Sequence, residues 1–109
     1  MYVHKLNDMI KKNTENNFKV LRGIKNNPNF SQRRLAEELG FSLGKLNYCL
    51  NALKEKGLVK IENFRMNPNK IGYVYILTPK GIKEKTKLTV KFMQRKMEEY
   101  DELKKELKK

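Results

Sequence analysis

One cysteine, one histidine, no tryptophan and three prolines in 109 residues leave little material for several kinds of chemistry. With Cys49 alone there is no disulfide framework, and with His4 the sole histidine there is no His/Cys cluster at zinc-ligand spacing. The commonest general base is nearly missing, and no nucleophile, base and orienting group converge in the chain, so neither an enzyme nor a cofactor is expected. No apolar run approaches the roughly 20 residues that span a bilayer, and the N-terminus MYVHKLNDMIKK lacks a signal-peptide core. A cytoplasmic protein with no membrane partner is therefore expected. Acidic residues are scarce as well: 12 stand against 25 lysines and arginines, for a formal net charge of +13. The excess is spread along the chain and favours a polyanionic partner.

What the chain does have is an organised centre at residues 31–57, SQRRLAEELGFSLGKLNYCLNALKEKG. Ser31 is a natural N-cap for a helix ending near Leu39, with Leu35, Ala36 and Leu39 as its buried stripe. Gly40 supplies the left-handed backbone of a turn, and Phe41 plugs that turn. Ser42 caps a second helix, in which Leu43, Leu46, Leu50 and Leu53 recur at spacings of three, four and three, placing them on one side. The opposite side holds Gly44, Tyr48, Asn51 and Glu55, flanked by Lys45 and Asn47. Two helices joined by a sharp turn, the second showing small and polar residues outward, predict a helix-turn-helix reader of double-stranded DNA. Tyrosine, asparagine and lysine are competent to contact base edges or phosphates, and Gly44 lets backbone approach DNA closely. Arg33 and Arg34 in one first turn and Lys45 in the next sit where the helix dipole prefers anions, which is useful if phosphates bind there. Ser31, Gln32, Arg33 and Arg34 are thus phosphate candidates.

The flanking segments fit around that unit. Val3, Leu6, Met9 and Ile10 suggest a short helix in an N-terminal extension over 1–13. Thr14 is read as the cap of a scaffold helix running to about Asn26, with Phe18, Leu21 and Ile24 inward. Phe30 is expected as a core anchor in a short strand. After Gly57, residues 58–64 and 73–77 read as two strands joined by a loop over 65–70, a wing whose Arg65, Asn67, Asn69 and Lys70 are placed to reach DNA beside the groove. Thr78 and Pro79 start a long helix over 80–109. Its seam, Ile82, Thr86, Thr89, Met93, Lys96, Tyr100, Leu103 and Leu107, is widened by Leu88, Val90, Phe92 and Met97. Left wet, such a stripe demands a partner, most simply a second copy in a coiled coil. Leu88, Phe92, Met93, Met97, Tyr100, Leu103 and Leu107 are the expected dimer contacts. The expected fold is therefore mainly α with a small β-hairpin wing: a winged helix-turn-helix over 14–79 followed by a dimerisation helix.

The run SQRRLAEELGFSLGKLNYCLNALKEKGLVK, followed by the wing and YILTPKGI, resembles MarR-type winged helix-turn-helix transcriptional regulators, most nearly the small subgroup associated with exopolysaccharide gene clusters. The resemblance covers about residues 18–107. It implies a dimeric regulator that binds operator-like DNA, with base-reading side chains on Ser42, Lys45, Asn47, Tyr48 and Asn51 and a wing arginine near Arg65. Many relatives sense small aromatic ligands beside a larger helical region; this chain is short for that architecture, and its small-molecule effector is unknown. The competing expectation is an architectural, sequence-tolerant DNA-binding protein of winged-helix and coiled-coil type.

Overall fold

The computed structural model describes residues 2–67 and 70–108, with side chains described for 5–63 and 72–108. Along the chain run α1 (Tyr2–Asn26), α2 (Gln32–Leu39), α3 (Leu43–Glu55), β1 (Val59–Asn67), β2 (Lys70–Leu77) and α4 (Pro79–Glu106).

Each boundary of the central unit has a local cause. Ser31 and Ser42, both in extended backbone, accept hydrogen bonds from the amides of Arg34 (3.2 Å) and Lys45 (3.1 Å), satisfying donors that a first turn leaves unpaired. Gly40 ends α2 at φ 69°, a conformation that costs glycine nothing, and Phe41 N–H then donates back to Ala36 O. Thr78 caps α4 by accepting from Gly81 N at 3.0 Å while its own hydroxyl donates to Gly57 O at 2.6 Å. Pro79 stands in the first turn of α4, where its missing N–H is no loss.

The core is built from α1, α2, α3, the start of β1 and the first half of α4. Val20, Leu21, Leu46, Leu50, Leu53 and Val59 are its fully buried side chains, each contributing roughly 1.5–3 kcal/mol relative to exposure. Cys49 is buried with them.

The structure differs from the sequence expectation in several places. Thr14 caps nothing: α1 runs unbroken through it, and its hydroxyl donates to Ile10 O at 2.9 Å. Threonine inside a helix satisfies itself this way on the carbonyl four residues back, and Thr86 and Thr89 do the same in α4. Phe30 lies in no strand; a turn closed by Phe30 N on Asn27 O holds it half-buried against the core. Leu43 is 46% exposed. It and Cys49 lie at opposite edges of the α3 apolar arc, and the core covers only the Cys49 edge.

The wing is longer than expected. The antiparallel ladder runs from Val59↔Leu77 through Arg65↔Ile71 to Asn67↔Lys70, with an irregularity between Arg65 and Asn67. The stretch read as a loop over 65–70 is therefore mostly strand, because ladder hydrogen bonds use backbone and tolerate polar side chains. Finally, Leu88 and Phe92, expected as dimer contacts, are engaged within the chain. Leu88 belongs to the core, and Phe92 packs against it while stacking on Phe18 of α1. At 100° per residue they sit well round the helix from Met93 and Met97, on the side that meets α1.

Candidate nucleic-acid interface

The outward face of α3 is open. Gly44, Lys45, Asn47, Tyr48 and Asn51 are all exposed, Tyr48 at 69%. A Cβ added at Gly44 would meet nothing within 4 Å, so that stretch of backbone is bare on its outer side. The opposite face supplies Leu46, Cys49, Leu50 and Leu53 to the core. The helix is thereby fixed by one side while the other faces solvent.

Basic groups cluster at the two helix starts. No acidic residue lies in the first turn of α2 or α3. Arg33 and Arg34 are exposed, and so is Lys45. The guanidinium of Arg34 lies 4.4 Å from the ring centroid of Phe30, and the ammonium of Lys45 lies 4.0 Å from that of Phe41. Both are within cation–π range. Ser31 and Ser42, both DNA-contact candidates, use an oxygen lone pair in capping, which leaves their O–H free to donate. Gln32 is half-buried, its Oε1 3.5 Å from the Tyr75 hydroxyl of β2, at the limit of a hydrogen bond. That contact ties the start of α2 to the wing strand. Asn69 and the side chains of Arg65, Asn67 and Lys70 lie outside the described residues.

Two features escaped the sequence reading. Asn13, Asn16 and Asn17 of α1 border a groove of about 160 Å³ against Lys45, Tyr48 and Lys56, so α1 forms a polar shoulder beside the outward face of α3. No periodicity in the sequence announces that neighbourhood. The rings beneath Arg34 and Lys45 were legible in principle, since a phenylalanine stands four residues before each cation.

Buried Cys49 lies at the edge of this face. Burial pushes its thiol above the ordinary 9.0, with the nearby charge of Lys45 pulling the other way. It is therefore a protonated packing residue at neutral pH. Among the described residues, no three His, Cys, Asp or Glu side chains gather as a metal site would, and no helix is long and apolar enough to cross a membrane.

Residues 14–60 match the family described as winged helix-turn-helix DNA-binding. The backbone is shared with a wider set of solved structures. S. aureus MarR in complex with salicylate and kanamycin matches at TM-score 0.62 and 17% identity, over 79% of this chain and 56% of that one. The PcaV regulator of Streptomyces coelicolor, solved with its natural ligand, matches at 0.59 and 21%, over 72% and 54%. A mutant of S. aureus MepR bound to an oligodeoxyribonucleotide matches at 0.64 and 18%, over 98% and 88%. The chain has the MarR-type winged helix-turn-helix fold. It spans little more than half the length of the first two of these proteins. No curated protein matches it in sequence. Within the MarR-type fold, α2 and α3 are the helix-turn-helix, β1 and β2 the wing, and α4 the long C-terminal helix.

Proposed function

We propose that this chain is a sequence-specific, double-stranded-DNA-binding transcriptional regulator of MarR type that acts as a homodimer in the cytoplasm. The observation that carries the proposal is the outward face of α3. Its Tyr48, Asn51 and Asn47 are exposed hydrogen-bonding side chains on a helix fixed by its other side, with no acid before Glu55. Such a helix enters a major groove, where base edges offer distinct donor and acceptor patterns. Arg33, Arg34 and Lys45 hold phosphates at the helix starts, and the wing lies beside the groove. The winged helix-turn-helix match over 14–60 and the MepR relative solved on DNA support the reading.

The dimer is supported by apolar surface that the single chain leaves uncovered. Met93, Met97, Tyr100 and Leu103 are exposed on one side of α4, with Leu107 just past its end, as are Leu6, Met9 and Ile10 on α1. A two-fold pair would cover this surface and present two copies of α3 to half-sites one helical turn apart. The motifs SLGKLNYCL and LTPKG support the exopolysaccharide-associated subgroup of MarR-type regulators. The spread of positive charge supports a second reading, an architectural protein that grips any duplex. Selection of bound duplexes from a random DNA pool decides between them. Enrichment of a pseudo-palindromic motif is expected; binding without enrichment would favour the architectural reading.

A further inference from the structure

We propose that Phe30 and Phe41 are positioning residues for DNA binding, each ring holding one cation, Arg34 and Lys45 respectively, in place before DNA arrives. The inference rests on the DNA-binding reading above.

The starts of α2 and α3 repeat one pattern: phenylalanine, serine, two variable residues, then a base, as FSQRR over 30–34 and FSLGK over 41–45. In both, the serine caps the helix by accepting from the amide of that basic residue. In both, the basic side chain then folds back over the ring that precedes the cap, at 4.4 and 4.0 Å from the centroid. A capping box normally carries glutamate or glutamine at this third helical position, and the helix dipole favours an acid there. Here a cation occupies it twice, and each time a ring holds it. For the isolated chain this is an electrically poor choice. It becomes favourable when a polyanion lies across both helix starts.

Each ring is anchored while its cation is not enclosed. Phe41 is buried in the core and Phe30 packs against it, yet Arg34 and Lys45 remain exposed. A ring covers one side of the cation only: a stacked guanidinium keeps its in-plane N–H donors, and an ammonium keeps those pointing away. The core's rigidity is passed to a charged tip that would otherwise lose rotamer freedom on binding a phosphate. Arg33, on the same turn as Arg34, has no ring beneath it among the described residues and serves as an internal control.

The test is a double-mutant cycle on the full chain, with affinity measured for a duplex recovered by selection. Phe41→Leu keeps apolar bulk and removes the aromatic face. It is expected to weaken binding about three- to tenfold when Lys45 is present and less than about twofold in a Lys45→Ala background. Phe30→Leu with Arg34→Ala should behave alike, whereas Phe30→Leu with Arg33→Ala should be additive. Phe41→Tyr, which keeps the ring, should restore binding. Should leucine at 41 compromise folding, NMR of the wild-type chain replaces it: the Lys45 ε-methylene should show an upfield ring-current shift, and its absence overturns the proposal. Additive cycles beside normal wild-type binding overturn the positioning role alone. Failure of the wild-type chain to bind any duplex at low salt overturns the DNA-binding reading, and this inference with it.

Discussion

The ring of Phe18 on α1 lies stacked on that of Phe92 on α4, centroids 4.9 Å apart and planes 12° from parallel. Three residues earlier and three later, Glu15 and Arg95 form an ion pair at 3.1 Å, so the two helices meet running antiparallel. Arg95 also lies over Phe92 at 4.9 Å. This joint fixes the long helix to the winged helix-turn-helix lobe. Phe92→Ala should destabilise the chain by about 2 kcal/mol, below the 3–5 kcal/mol typical of a fully buried phenylalanine because the ring is only half-buried. Urea midpoints at one fixed protein concentration check this. The Glu15–Arg95 pair is partly exposed, and Glu15→Gln should shift the midpoint little.

Two glycines should respond oppositely to alanine. A Cβ at Gly81 would stand 1.9 Å from the carbonyl oxygen of Leu58, and that oxygen already accepts from Thr78 N. Backbone held from both sides cannot yield, so Gly81→Ala should lower stability by at least about 1–3 kcal/mol. At Gly44 the added methyl meets nothing within 4 Å. Gly44→Ala should raise stability by roughly 0.5–1 kcal/mol while weakening DNA binding, because the methyl projects from the outward face. Thermal unfolding and a DNA titration on both variants read the two effects separately.

Much of this arrangement was legible in the sequence because caps and breakers are local. Thr78 reads correctly as a cap because Pro79 follows it and forces a helix start. Thr14 reads wrongly because nothing stops the helix before it, and a threonine looks the same whether it caps or bonds backward to Ile10. The exposed face of α3 followed from periodicity, but Leu43 shows the limit of that signal. Periodicity finds an apolar arc without telling which edge a neighbour covers. The same gap explains Leu88 and Phe92: their spacing marked them as apolar surface, while only the approach of α1 decides that the chain itself uses them.

The apolar surface left after that assignment makes a direct prediction. Met97→Lys combined with Leu103→Lys places two charges within the exposed stripe of α4. The pair should convert a dimer to a monomer by light scattering and leave the helical circular dichroism signal largely intact. Persistence of the dimer would move the interface away from this face.

Cys49 gives a pH signature. Its thiol is raised by burial above 9.0, and a thiol is neutral when protonated. The folded chain therefore keeps the proton at pH values where the unfolded chain releases it. The resulting contribution to stability is whole below about pH 9 and is lost as pH rises through the higher folded value. Stability of the wild type should fall more steeply above pH 9 than that of Cys49→Ala, which isolates this group from the lysines and tyrosines that titrate nearby. At neutral pH the folded chain should react with a thiol reagent far more slowly than the urea-unfolded chain.

In the proposed complex the outward face of α3 reads bases while the helix starts hold phosphates. The most direct test is a competition titration of a selected duplex against random duplex at several salt concentrations, for the wild type, Tyr48→Ala, Asn51→Ala and Arg33→Ala. Tyr48→Ala and Asn51→Ala should narrow the preference for the selected duplex by about 1–3 kcal/mol at particular base pairs, with the salt slope unchanged. Arg33→Ala should weaken both duplexes alike and reduce the slope by about one. If Tyr48→Ala and Asn51→Ala leave affinity and preference as they are in the wild type, α3 is not the reading helix.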